Sequence, residues 1–245
     1  GHGVTSFYYP PKAEPNCNGC HMPLVTSDDF AAGHFDSSGE LKIHGHQFPS
    51  ANTAIPKLLE MPEKVNDAHR KFLDGVMRLD IFGIKEGGRI DGELTAPLRP
   101  VVPALQPGAT YLVEIVIRTV KMGHIFTQGT ADSNEVWMDV ELRSGKERIG
   151  RSGGKGPQGE VDPWSHFVNA YVLDREGNRI DRRNAQDIFV ALYNHQIPPG
   201  AADVIHYSFT VPDDASGTVT LDAKLRYRKF DTTYMKHIYG EDRVN

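Results

Sequence analysis

From residue 76 onward, apolar and polar positions alternate, and a period of two predicts strands. Met77, Leu79 and Ile81 alternate with Arg78 and Asp80. Tyr111, Val113, Ile115 and Ile117 repeat the pattern between Pro107-Gly108 and Lys121. Val136, Met138, Val140 and Leu142 alternate with Trp137, Asp139 and Glu141, which puts the two sets on opposite faces. Segments 167–173, 188–193 and 205–211 read as further strands, the first closed by the turn Asp174-Arg175-Glu176-Gly177-Asn178. The clearest alternation comes last. Val219, Leu221, Ala223, Leu225 and Tyr227 point inward, while Thr220, Asp222, Lys224, Arg226 and Arg228 point outward. With turn signals at Asp91-Gly92, Gly145-Lys146 and Pro199-Gly200, these segments predict a mainly β protein. Its principal domain is an immunoglobulin-like antiparallel β-sandwich over 76–230.

The chain before the sandwich is different. Residues 1–62 show little periodicity and are rich in Gly, Pro, Ser, Asn and His, a composition that buries little apolar surface by itself. Residues 63–75 read as a short linking helix. Val65, Ala68, His69, Phe72 and Leu73 fall on one face, with Pro62 before them and Gly75 as the stop. Residues 231–245 form a polar tail with room for one helical turn. The glycines at 150–159 lack the Lys-Ser/Thr of a phosphate loop and are followed by Glu160-Val161-Asp162-Pro163, so they read as a flexible surface loop.

Composition narrows the function classes. A chain of 245 residues, 39% hydrophobic, supports one sizeable core with a small appendage. The net charge of −5 gives no footprint for nucleic acid. No apolar run has the length of a membrane span. Two cysteines beside eleven histidines is an unusual ratio that calls for an explanation.

Both cysteines lie in Cys17-Asn18-Gly19-Cys20-His21, a pattern that reads as the attachment site of one c-type haem. Each thiol adds to a vinyl group, and the histidine that follows becomes the proximal iron ligand. Bare CxxC also serves thioredoxin-like redox pairs, but those sit in βαβ surroundings, whereas here Tyr9-Pro10-Pro11 and Met22-Pro23 flank it. A Cys2His2 zinc site remains open, because histidines are plentiful. For the distal ligand the candidates run His46, His44, His124. The first two share the loop Ile43-His44-Gly45-His46-Gln47-Phe48-Pro49 close to the motif, and His124 follows Gly123 where the 111–118 strand ends. His34 and His2 are weaker candidates. His69 belongs to the buried side of the helix, and His166, His195, His206 and His237 read as structural or solvated. Oxygen-bearing residues from Thr127 to Glu135 offer a calcium site, with a solvated loop as the competing reading.

Several runs resemble the C-terminal part of bacterial multihaem c-type cytochromes of the kind found in planctomycetes. They are Gly3-Val4-Thr5-Ser6-Phe7-Tyr8, Cys20-His21-Met22-Pro23, His46-Gln47-Phe48-Pro49-Ser50-Ala51-Asn52-Thr53-Ala54-Ile55-Pro56, the stretch from Gly123 to Trp137, and Tyr227-Arg228-Lys229-Phe230. The resemblance implies bis-histidine haem ligation, electron transfer, and export to the periplasm or cell exterior. It also implies other redox proteins or haem-bearing subunits as partners, and self-association is compatible with it. His46 is the distal ligand the resemblance favours, with His124 next. This chain has a single CxxCH where the family carries several, the pattern of a piece of a longer polypeptide or of a subunit that docks on other haem proteins. Two alternatives stand beside electron transfer: a haem enzyme with an open iron site for peroxide or small nitrogen compounds, and a docking subunit of a larger redox complex.

Overall fold

Short helices and a small hairpin organise the N-terminal part of the chain in the computed structural model, which describes residues 16–240. Helix α1 is a single turn, Asn18–His21. Strands β1 (Leu24–Thr26) and β2 (Lys42–His44) pair antiparallel with Leu24 opposite His44. Helices α2 (Ala54–Leu58) and α3 (Glu63–Leu73) follow. The predicted face of α3 turns inward, with Asn66 and His69 buried and Val65, Ala68 and Phe72 half-buried. Beyond it, Gly75 takes φ 73°, a left-handed conformation that glycine adopts without steric cost. The described residues up to Val76 form one unit together with Thr119–Phe126 and Pro198–Gly200. Among its described residues Phe126 is the large apolar side chain that is buried, whereas Phe30, Phe35, Phe48, Leu58, Leu59 and Met61 are exposed.

The second unit holds the sheets. Strands β3 (Met77–Glu86), β4 (Leu94–Thr95), β5 (Thr110–Thr119), β6 (Glu135–Ser144) and β7 (Glu147–Ser152) precede a two-stranded ribbon of β8 (Ala170–Leu173) and β9 (Val190–Asn194). Strands β10 (Ala202–Thr210) and β11 (Val219–Arg228) complete it. One sheet has the order β10-β5-β3-β4 and the other β11-β6-β7, and every pairing is antiparallel. β7 touches β10 and β11 touches β3, so the two sheets face each other in the manner of a β-sandwich. Val113, Ile115 and Ile117 of β5 and Val136, Met138 and Val140 of β6 are all buried in the core. β11 keeps the strict alternation read from the sequence, half-buried on one face and exposed on the other until its last residue. Among the described residues no helix is long and apolar enough to cross a membrane.

Buried polar groups on β5 are paired across the sheet. The Glu114 carboxylate takes the Lys85 ammonium of β3 at 2.8 Å and His206 Nε2 of β10 at 3.1 Å. The Lys85 hydrogen bond holds the Glu114 carboxyl below its ordinary value, against the opposing effect of desolvation. A carboxyl whose folded-state pKa is lowered stabilises the fold above its unfolded value, and that contribution is lost as pH falls through the folded value. Urea midpoints are therefore expected to fall as pH drops below about 4.3. Glu114→Gln should flatten that acid limb; an unchanged limb would remove Glu114 as its source.

Trp137 departs from simple alternation. Its face of β6 reads as the polar one, yet the ring is 2% exposed. The chain beyond β7 folds back over it: Phe167 bridges to Trp137, the indole N–H donates to Gly153 O at 3.1 Å, and Lys155 and Arg228 lie over the ring. Gly153, part of the expected surface loop, is buried with φ 75°, and a Cβ there would lie 1.9 Å from Met138 O. The glycines serve this close approach, and the segment is ordered by a bridge between Lys155 and Val161. Past β11, helix α4 (Thr232–Tyr239) is longer than the single turn expected. Asp231 caps it by accepting from Tyr234 N at 2.7 Å, and its other oxygen meets Arg179 at 3.2 Å.

Candidate functional site

The cysteine motif is wound into α1. Asn16 Oδ1 accepts from Gly19 N at 3.2 Å, and His21 N donates to Cys17 O at 2.9 Å. One helical turn puts residues three and four apart on the same side, so Cys17, Cys20 and His21 share a face. Both thiols are exposed and no disulfide joins them.

The His21 ring is held from two directions. Its Nδ1 lies 2.8 Å from Pro49 O, and Phe72 of α3 packs against it with ring centres 5.0 Å apart. The Pro49 carbonyl is presented by a turn through Phe48, which adopts φ 47°, a left-handed conformation uncommon for an aromatic residue. His124 is stacked with His21. The ring centres are 6.2 Å apart and the planes differ by 6°. His124 Nδ1 lies 2.8 Å from the carbonyl of Ile125. In each ring the backbone carbonyl accepts from Nδ1–H, which leaves the lone pair on Nε2.

The spacing has a chemical meaning. Imidazole nitrogens bind metal ions at about 2.0–2.1 Å, and the ring centre lies about 1.1 Å further back. Two imidazoles trans across one ion therefore have centres roughly 6.2–6.4 Å apart. The His21–His124 pair is a stacked pair whose centre separation falls at that value. Linear position hides this meeting, because 124 lies within the numbered range of the sandwich. The fold draws Thr119–Phe126 to the N-terminal unit, with Val120 N donating to Val76 O at 2.9 Å and Thr119 Oγ1 to Pro198 O at 2.6 Å.

The other histidines fall elsewhere. His44, on β2, has Nδ1 2.7 Å from Met22 O, and Phe35 meets its ring edge-on. His46 is exposed and lies edge-on to Phe48, with centres 6.0 Å apart. His34 is exposed, and His2 lies outside the described residues, as does the Gly3–Tyr8 run. His166 Nε2 bonds Asp203 at 2.7 Å, His206 pairs with Glu114, and His195 packs on Tyr193, all in the sandwich unit. Sequence reasoning missed the Pro49 carbonyl, a backbone group that no residue type announces. It placed Phe72 on the correct face of α3 without giving it a role.

In the Thr127–Glu135 loop arginines engage Asp132, Ser133, Thr130 and Glu135, while Asn134 Oδ1 is buried without a hydrogen bond among the described residues. Arg183 donates to Asp132 Oδ2 through its backbone at 2.8 Å, and its guanidinium reaches Ser133 Oγ at 3.1 Å and Thr130 Oγ1 at 2.7 Å. Arg228 pairs with Glu135. A protein cation thus stands where the calcium expectation puts a metal ion. Among the described residues no three His, Cys, Asp or Glu side chains converge on a metal-ion position, so the four ligands of a zinc knuckle are not assembled there.

No family model matches the chain, and no curated protein matches it in sequence. Among solved structures, the chain is distantly similar to the penta-heme cytochrome c552 from Thermochromatium tepidum, with a TM-score of 0.48 at 12% identity over 94% of this chain. The chain spans 43% of the length of that protein. At that level of similarity, function has to be read from the side chains.

Proposed function

We propose that this chain is a c-type cytochrome module for electron transfer, with one haem attached through Cys17 and Cys20 and ligated by His21 and His124. The carrying observation is the His21–His124 pair: parallel rings, centres 6.2 Å apart, each Nδ1 tied to a backbone carbonyl. The donor set fits the group. Two exposed thiols share one helical turn with the proximal histidine, and the exposed phenylalanines and leucines of this unit lack an apolar partner that a porphyrin would supply. When bound, the haem supplies the one-electron couple. The protein residues do the rest. The Pro49 and Ile125 carbonyls fix both tautomers and make each Nε2 a stronger donor. Phe72 limits rotation of the His21 ring. Held by His21 and His124, the iron would have no coordination position for substrate, which favours electron transfer over catalysis at an open iron.

His46 and His44 are the second and third choices for the distal position on this reading. The segment 1–62 acts as the haem-binding region and 76–230 as scaffold. Attachment to CxxCH places maturation in the periplasm or outside the cell, with other redox proteins as partners. The test is a visible spectrum of the oxidised and reduced protein, with a pyridine haemochrome assay and added carbon monoxide. The expected result is one haem per chain, sharp reduced α and β bands, and no response to carbon monoxide. A carbon monoxide adduct in the unmodified protein would replace this reading with an open-site enzyme, and absence of covalent haem would end both.

A further inference from the structure

A cavity of about 470 Å³ opens beside α3 in the N-terminal unit. Small-molecule sites span about 300–1,000 Å³, so the space is large enough for a compact organic ligand. Its polar lining is Gln47, Lys64 and His69, and its apolar walls are Pro49, Met61, Val65 and Ala68. His69 is 7% exposed, and its Nδ1 lies 3.0 Å from both the N and the O of Ser50. In the tautomer that accepts from Ser50 N–H, the ring proton sits on Nε2. Among the described residues no hydrogen bond reaches that atom, no ion pair engages Lys64, and no hydrogen bond uses the Gln47 amide. Gln47 and Lys64 are exposed at the mouth of the cavity and His69 is buried behind them, so solvent serves the exposed donors when the space is empty.

The charge pattern selects the ligand class. Lys64 and Gln47 donate into the lining, His69 Nε2 does so in the tautomer that accepts from Ser50 N–H, and no Asp or Glu lines the space. The nearest carboxylates on α3, Glu63 and Asp67, are both held by Arg70. An anion satisfies the donors, and the apolar walls require it to carry an apolar body. We propose that this cavity binds a small organic carboxylate. Its head is held by Lys64, His69 and Gln47, and its body rests against Pro49, Met61, Val65 and Ala68. Pro49 also offers its carbonyl to His21, so occupancy is expected to reach the haem ligand as well; that second effect alone rests on the haem reading.

Isothermal titration of the full chain with benzoate, and with benzamide as the neutral control, tests the site without reference to haem. The expected result is one benzoate site with benzamide at least about tenfold weaker, because a charge-assisted hydrogen bond is lost. Lys64→Glu should weaken benzoate by about tenfold or more. Lys64 is exposed, so this variant should keep the parent's far-ultraviolet circular dichroism; His69→Gln provides a second probe from inside the cavity. No benzoate binding would overturn the proposal. So would equal affinity for benzamide, an unaltered affinity in Lys64→Glu, or inorganic phosphate binding as tightly as benzoate. A shift of the haem spectrum on benzoate binding would support the link through Pro49. Binding without such a shift would leave the cavity site standing and remove only the link.

Discussion

His124→Ala is expected to turn a low-spin spectrum into a high-spin one, to create a full carbon monoxide adduct where the parent has none, and to leave the covalent haem content at one per chain. The expectation follows from the two ring centres at 6.2 Å, the separation of trans ligands on one ion. His124 is half-buried and its Nδ1 is occupied by Ile125 O, so the mutation removes one nitrogen donor and little packing. Free imidazole should restore the low-spin bands, which a merely structural loss would not allow. His46→Ala is the matched control. Its ring is exposed, and its substitution should leave the spectrum unchanged. A high-spin spectrum in His46→Ala, with His124→Ala unaltered, would transfer the distal role to His46 and refute the assignment made here.

Trp137→Ala is expected to cost about 3–5 kcal/mol, the range for emptying a buried aromatic site. The ring is 2% exposed and ties β6 to the 153–167 segment, so its loss leaves a cavity and strips the Gly153 carbonyl of its donor. At about 2–4 °C per kcal/mol for a domain of this size, the melting midpoint should fall by roughly 10 °C. Trp164, 91% exposed, provides the comparison within the same chain. Its replacement by alanine should stay within about 0.5 kcal/mol. Circular-dichroism melts of the two variants decide the matter. Equal shifts would mean that Trp137 is not the anchor described.

Strands were legible in the sequence because a half-buried strand must alternate, and β11 does so along nearly its full length. The helix at 63–73 was legible for the same kind of reason, since its apolar residues recur every three or four positions. The Cys17–His21 run stands out in the sequence because it holds both cysteines at a fixed spacing before a histidine, the pattern on which the proposed haem attachment rests. What tertiary structure decided are meetings between residues far apart in the chain. Trp137 was placed on the outer face by alternation, and became core because a glycine-bearing segment folds over it. His21 and His124 lie more than a hundred positions apart. Which histidine ring lies beside His21 depends on how Thr119–Phe126 docks beside Val76, a meeting that proximity in sequence does not report. The tautomers were hidden too, because carbonyls of Pro49 and Ile125 set them, and every residue type has a carbonyl. Local periodicity and motif spacing are written in the order of residues, whereas which side chains meet is a property of long-range packing.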